Sequence, residues 1–503
     1  MKAAFTPVLI RLAIAGAVLS ALPASAQTTA PTQPPAGTMQ VAPSGPWTLQ
    51  RAVDYALQNN LTVRQNQLTA DLDEADLRQS RAAMLPSANL SGSQAWNFGT
   101  SLDPLTNDFI TQTIRSNNFS ASSQVTLFSG FQLRNTVKQN VLSYEASRND
   151  ITKARNDLSL NVASAFLQLV LAEELVKSNA LRVNSDEQQI ERTRKLLKAG
   201  AVAESNLLDS QAQLASDQLN VITAQNQRDI ARLQLMQLMN IDPASTDFQI
   251  EVPVLGDPDE ETEVRLDVND TYQTAQSLLP EIKAADLRVR SAQYGQEIAR
   301  GGYYPRLTFG AGIFTGYSSA RSSFIPTGEF TRTYIPVVDS VTNRPSGTLA
   351  LLNVQPKYDV KPTAFNSQLK DNLGKQLQFN LNIPILNGLQ ARTNVQRAQI
   401  AVKQAELRAE QTRLTLRQSI QQAYADAVAA QRKFVAAKRQ VEALTTSYRN
   451  SEIRFNNGLL NGTEFNIAKN NLSAAESSMI QAKYEFIFRS KVLEFYQGKP
   501  VSL

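Results

Sequence analysis

The stretch 377-LQFNLNIPILNGLQARTNV-395 changes its period halfway along. Leu377, Phe379, Leu381, Ile383 and Ile385 alternate with Gln378, Asn380 and Asn382, a two-residue period that makes a strand with one apolar and one polar face. Beyond Asn387-Gly388 the apolar residues fall at helical spacing for roughly sixty residues. The same transition occurs earlier. The segment 125-VTLFSGFQLRNTV-137 matches 383-IPILNGLQARTNV-395 at a constant displacement, so one chain carries the same strand exit twice.

Two displacements relate the halves. Leu61–Asn66 matches Pro280–Ala285, and Pro86 matches Pro305, both at a displacement of 219. From the next strand onward the displacement is 258, which aligns Gly130 with Gly388, Gly200 with Gly458 and Leu214 with Leu472. The second half therefore holds 39 extra residues, all between Pro305 and Ile383. A unit this long is a duplicated subdomain and not a solenoid repeat.

Each half reads as helix, strand, loop, strand, long helix, turn, helix. Phe119, Ala121, Ser123, Val125 and Leu127 alternate with polar residues, as do Leu307, Phe309, Ala311 and Ile313. A first strand is expected over 87–96. The segments 97–118 and 318–372 read as long polar loops. Alternation alone fits either a half-buried antiparallel sheet or tilted strands of a transmembrane barrel. In the barrel reading Val125, Leu127, Leu307, Phe309, Leu377, Phe379, Leu381 and Ile383 face lipid. The glycines of 310-GAGIFTG-316 sit inside a strand with no Lys-Ser/Thr after them, which suits close strand packing better than a phosphate loop.

The helices carry the sharper signal. Val162, Leu169, Val176, Val183, Ile190 and Leu197 recur every seventh residue, and Ile420, Ala427, Phe434, Val441, Tyr448 and Phe455 repeat them at the 258 displacement. Past the turns, Leu207, Leu214, Val221 and Leu235 keep the period with Arg228 interrupting, and Phe465, Leu472, Met479, Phe486 and Leu493 keep it unbroken. A sustained seven-residue period holds one seam toward a neighbouring helix. Gly200 and Gly458 follow each run, where a left-handed residue ends a helix. Each half thus contains an antiparallel helix hairpin. The long helices, 131–199 and 389–456, would reach roughly 100 Å at about 1.5 Å per residue. The shorter ones, 48–85 and 203–240, are about half that, so two short helices end to end would line one long helix.

Composition excludes much chemistry. The 503 residues include no Cys and no His, which removes His acid–base catalysis, Cys nucleophiles, Cys/His zinc sites and disulfides. No paired-carboxylate constellation suggests an enzyme, and no cofactor is implied. Lys/Arg number 50 and Asp/Glu 45, interspersed on helices without a basic, aromatic-laced stripe, which argues against nucleic acid. Residues 1–26 read as a signal peptide: early Lys2, an apolar run from Leu12 to Leu22, and Ala24-Ser25-Ala26 as the cleavage signal. Residues 27–46, rich in Pro and Thr, read as a flexible lead-in. No later segment reads as a membrane-spanning helix, so any crossing is by strands. Four strands cannot close a barrel, and an open edge in lipid costs several kcal/mol per unpaired group, so membrane strands require an oligomer sharing one barrel.

The duplication, the 127-LFSG-130 and 385-ILNG-388 strand exits, and the tips 198-KAGAVAESNLLDSQAQL-214 and 456-NNGLLNGTEFNIAKNNL-472 resemble the TolC-like outer membrane efflux family from Trp47 to about Gly498. The resemblance implies a mainly α fold with transmembrane β. In it a homotrimer forms a twelve-strand β-barrel continuous with a twelve-helix periplasmic α-barrel, with a small equatorial α/β belt. On that pattern 47–240 is the first repeat, 241–266 the equatorial linker, 267–495 the second repeat with the longer extracellular loop, and 496–503 the tail. It also implies an exit duct in the outer membrane, serving an inner-membrane pump through a periplasmic adaptor. Exit of secreted proteins and a trimeric structural or adhesive role are the alternatives. By the same resemblance Glu464 matches an acidic gate position, Asn206 is its counterpart and Asp209 supplies an acid where the second half has Ile467. Both acids also suit the positive end of a helix dipole without any gate. The resemblance places adaptor docking at Gly200, Ala201, Val202 and Ser205, and at Gly458, Leu459, Leu460 and Thr463.

Overall fold

The computed structural model describes residues 45–102, 109–200, 202–243, 248–252, 267–338, 341 and 343–499. The expected signal peptide, nearly all of the lead-in, Ala201, most of the 241–266 linker and the last four residues of the tail lie outside the described residues. Residues 47–244 and 250–503 form one unit, which holds all of the described helices and strands. Residues 1–46 and 245–249 form another, of which 45–46 and 248–249 are described.

The first repeat runs α1 (Leu49–Asn59), α2 (Leu61–Ala82), β1 (Ser87–Leu102), β2 (Phe109–Ser129), α3 (Gln132–Lys198) and α4 (Glu204–Met239). The second runs α5 (Val268–Leu278), α6 (Pro280–Gly301), β3 (Arg306–Ser318), an inserted hairpin of β4 (Ser322–Val338) and β5 (Pro345–Pro362), α7 (Phe365–Asp371), β6 (Gly374–Asn382), α8 (Gln390–Asn456) and α9 (Gly462–Tyr496).

The expected helix over 48–85 is two helices. At Asn60 the chain leaves helical geometry (φ −70°, ψ 130°), and its side chain accepts from the N–H groups of Thr62 and Val63 and donates to the Leu238 carbonyl at 3.0 Å. The equivalent Leu279 adopts nearly the same angles for another reason: it precedes Pro280, which disfavours the α region. One break is thus made by two chemistries.

Four strands form one antiparallel sheet in the order β1-β2-β3-β6. Ser87 lies opposite Gln124 in the first repeat and Arg306 opposite Asn382 in the second, positions related by the displacements of 219 and 258. The two repeats therefore share one register. The expected loops are largely strand. β1 extends to Leu102 and β2 begins at Phe109, while 318–372 contains the separate β4–β5 hairpin and α7. Weak alternation among Asn, Ser and Thr concealed the outer ends of β1 and β2, which backbone pairing holds together. β4 and β5, by contrast, carry apolar residues such as Ile335, Val337, Leu349 and Leu351 inside what read as a polar loop.

On the helical side α2 and α4 both pack along α3, and α6 and α9 along α8. The seven-residue seams are buried: Val162, Leu169 and Ile190 on α3, Ile420, Ala427 and Phe434 on α8, and Phe465, Phe486 and Leu493 on α9. Aromatic rings cross the α8–α9 seam, with Phe455 stacked on Phe465 at 4.6 Å and Phe434 on Phe486 at 6.4 Å. At the joint between the end-to-end helices, Phe495 and Tyr496 of α9 pack beside Tyr272 of α5 against Leu279, Ile282 and Ile420. One window of α3 is long and apolar enough to cross a membrane by length and composition, which the sequence reading missed. Within the chain 44% of that window is buried, with Val162, Phe166, Leu169 and Val170 of α3 among the buried residues.

Candidate functional site: a conduit wall and its tip

The shared register sorts the sheet into two faces. Val125, Phe309 and Phe379 form one cross-strand row, Leu307 and Leu381 lie in the next, and Ala88, Ser123, Ala311 and Leu377 in another, all on one face. Phe309 and Phe379 sit 4.8 Å apart, and Leu377, Phe379 and Leu381 are exposed. The opposite face carries Ser91 hydrogen-bonded to Ser120 at 2.7 Å, together with Asn89, Ser122, Gln378 and Asn380. The apolar face ends upward in Trp96, Arg115 and Tyr317, with the guanidinium 5.3 Å over the Tyr317 ring. From Leu307 to Tyr317 the band is roughly 25 Å tall, taking about 3.4 Å per residue and a tilt near 40°. Two residues expected on this face sit differently. Leu127 falls in a bulge between Thr126 and Phe128, and Phe128 takes the place opposite Leu307; Ile383 lies just past the end of β6.

The strand-to-helix corner is built by Gly130-Phe131 and Gly388-Leu389, all four at positive φ near 60°. Gly130 is also closely approached: a Cβ there would meet the Gly301 carbonyl oxygen at 2.4 Å. A Cβ on Gly388 meets nothing within its own chain. β2 passes into α3 through two residues, Gly130 and Phe131, whereas seven residues, 383–389, separate β6 from α8.

At the other end the helices reverse. Gly200 (φ 74°) and Gly458 (φ 70°) end α3 and α8, and the Leu459 N–H donates to the Arg454 carbonyl, closing the latter helix. Leu459 is 70% exposed, Val202 and Leu460 are half-buried, and Ser205 and Thr463 are exposed. Of the gate candidates, Glu464 and Asp209 are exposed carboxylates and Asn206 is half-buried, its side chain facing Gly462. The Glu464 N–H donates to Asn461 Oδ1 at 2.7 Å, so Glu464 also occupies the third position of a capped helix start.

The sequence reading missed a charged cluster within the helical seam. Asp186 of α3, Asp217 of α4 and Lys469 of α9 are 4%, 5% and 9% exposed. Lys469 Nζ donates to Asp186 Oδ1, and Gln213 Nε2 and Asn220 Nδ2 donate to Asp217 at 2.8 and 3.2 Å. Beside it Arg182 donates to the Ser473 carbonyl at 2.6 Å and to Ser477 Oγ at 2.9 Å. A signal existed: Asp217 opens a buried seven-residue series with Ala224 and Ala231, where an acid is out of place.

A sheet with one apolar and one polar face, turned at glycine corners into very long paired helices that reverse at glycine tips, defines a membrane-anchored conduit wall. The chain belongs to the outer membrane efflux protein family, whose model matches residues 52–240 and 271–498, one segment per repeat. It is an outer membrane efflux channel protein, not an enzyme. Its fold is similar to that of CusC (17% identity, 92% of this chain and 96% of that one, TM-score 0.71). It is similar also to the CmeC outer membrane channel of Campylobacter jejuni (16%, 90% and 85%, 0.70) and to the open state of the MtrE outer membrane channel of Neisseria gonorrhoeae (17%, 90% and 89%, 0.65). No curated protein matches the chain.

Proposed function

We propose that this chain, as a homotrimer, is the outer-membrane exit duct of a tripartite efflux pump that carries small molecules past the periplasm. The observation that carries this reading is the open sheet. β1 and β6 are edges with an apolar face beside them, and identical repeat registers make each protomer two near-equal sixths of a tube. Three copies of the four-stranded sheet give a twelve-strand barrel and remove its open edges, which lipid requires. Exposed apolar residues on α2 (Leu68, Leu72) and α8 (Ile400, Leu407, Leu414) are then helix contacts between copies. The apolar strand residues face lipid, the serine- and amide-lined face lines the lumen, and 241–266 contributes to an equatorial belt. The tips around Val202 and Leu459 receive the periplasmic adaptor, which links the duct to an inner-membrane pump. Glu464 and Asp209 narrow the periplasmic end as rings of carboxylates.

Single-channel recording tests this. The purified protein in planar bilayers is expected to pass small cation-selective currents, and Glu464→Ala with Asp209→Ala to enlarge them or reduce their selectivity. Inserted trimers that never conduct, in either form, would sink the duct and favour a structural role. Unchanged current in the variant would remove only the gate assignment.

A further inference from the structure

Asp186, Asp217 and Lys469 put two carboxylates and one ammonium into a nearly dry seam. The charged groups that act on Asp186 are Asp217 of α4 and Lys469 of α9; beside them Arg182 of its own helix, Glu476 of α9 and the phenol of Tyr448 on α8 line one pocket with Lys469. Arg182 is already engaged by the Ser473 carbonyl, Ser477 and, at 3.9 Å, Glu476. One Asp186 oxygen takes Lys469; the other is buried without a hydrogen-bond partner. A proton shared between Asp186 and Asp217 would hydrogen-bond the two carboxyls and bring the three-residue cluster from −1 to neutral.

The cluster marks one seam of two. At the displacement of 258 the matching positions are Leu444, Ala475 and Gln211, with no charge among them. α9 meets α3 and α4 within one chain; in the trimer proposed above, α4 of the next copy would meet α8 and α9 at the matching place.

We propose that the cluster is a proton-tightened seam: one proton on the Asp186–Asp217 pair locks α9 onto α3 and α4, its loss loosens this seam, and the matching uncharged seam does not respond. The electrostatics agree in direction. Burial, helped by neighbouring Asp217, pushes Asp186 up to about 6 against the pull of Lys469. Burial acts on Asp217 too, but donors from Asp186, Gln213 and Asn220 outweigh it and hold Asp217 below its usual value. Asp186 binds its proton more tightly in the closed seam than in an open, hydrated one, so closure is favoured as pH falls through about 6. Between pH 7 and 5 the closed-to-open ratio should rise about tenfold.

The comparison of seams rests on the trimer reading; the pH response does not. The test uses the full-length protein, whose lack of cysteine allows spin labels to be placed cleanly at exposed Gln188 on α3 and Ser478 on α9. The native distance distribution should be broad at pH 7.5 and narrow at pH 5.0. Asp186→Asn and Asp217→Asn, each of which removes one like charge, should be narrow at both, and Lys469→Met should move the transition to higher pH. A native distribution that ignores pH, or an Asp186→Asn variant that keeps the response, would overturn the proposal. A second label pair, Leu219 with Ala436 of a neighbouring copy, should give a short, pH-independent distance. Its absence would count against the trimer while leaving the first result standing.

Discussion

Gly130 and Gly388 hold equivalent corners in the two repeats, yet their surroundings differ. Both need a left-handed backbone, which costs an L-residue about 1–2 kcal/mol. Only at Gly130 does a Cβ strike the Gly301 carbonyl within the chain, adding an overpacking cost of about 1–3 kcal/mol. Gly130→Ala should therefore lower the thermal midpoint of the detergent-purified protein clearly more than Gly388→Ala. Equal losses would mean that the corner, not the contact with α6, sets the requirement. At this scale the sequence was half legible. Repetition exposed both glycines, but Gly301 lies 171 residues from Gly130 and nothing local announces the contact. Asp186 and Lys469 were hidden in the same way, since each alone looks like a solvated charge on a helix; only Asp217, heading the Ala224 and Ala231 series, left a sign.

The elements were read best where one physical signal dominated. Seven-residue seams gave α3, α4 and α8 to within a residue or two and the heptad positions of α9, because a buried seam leaves few choices at those positions. The break at Asn60 escaped, since an Asn within an amphipathic run is an ordinary surface residue unless its cap is visible. That cap predicts a difference between the repeats. Asn60→Ala removes an acceptor for two N–H groups and the bond to Leu238, which should cost about 1–2 kcal/mol and speed amide exchange at Thr62 and Val63 about tenfold. Pro280→Ala should change exchange at the matching Glu281 and Ile282 far less, since proline at a helix start contributes a preset φ and no hydrogen bond. Similar acceleration at both joints would refute the idea that the same bend is held by a cap in one repeat and by backbone sterics in the other.

At the scale of the molecule, the repeat register fixes what lies across the open edges. β2 and β3 meet within the chain with Asn118 opposite Gly316 and Ser120 opposite Phe314. Carrying β2 forward by 258 and β3 back by 219 maps this junction onto β6 and β1 of adjacent copies, where it sets Gln378 opposite Ala95 and Leu381 opposite Gly92. The faces agree: Gln378 and Ala95 both fall on the polar side, while Leu377 and Trp96 meet on the apolar one. A chain with cysteines only at Gln378 and Ala95 should thus form intermolecular disulfides at Cα separations near 5.5 Å, giving a ladder that ends at three subunits under non-reducing denaturation. Gln378 paired with a cysteine at Asn89, six residues out of register, should not crosslink. Bonding in the shifted pair instead would mean that the copies meet in another register. A ladder running past three subunits would mean that the β edges join an open array, which the duplicated sequence alone could not have distinguished from a closed tube.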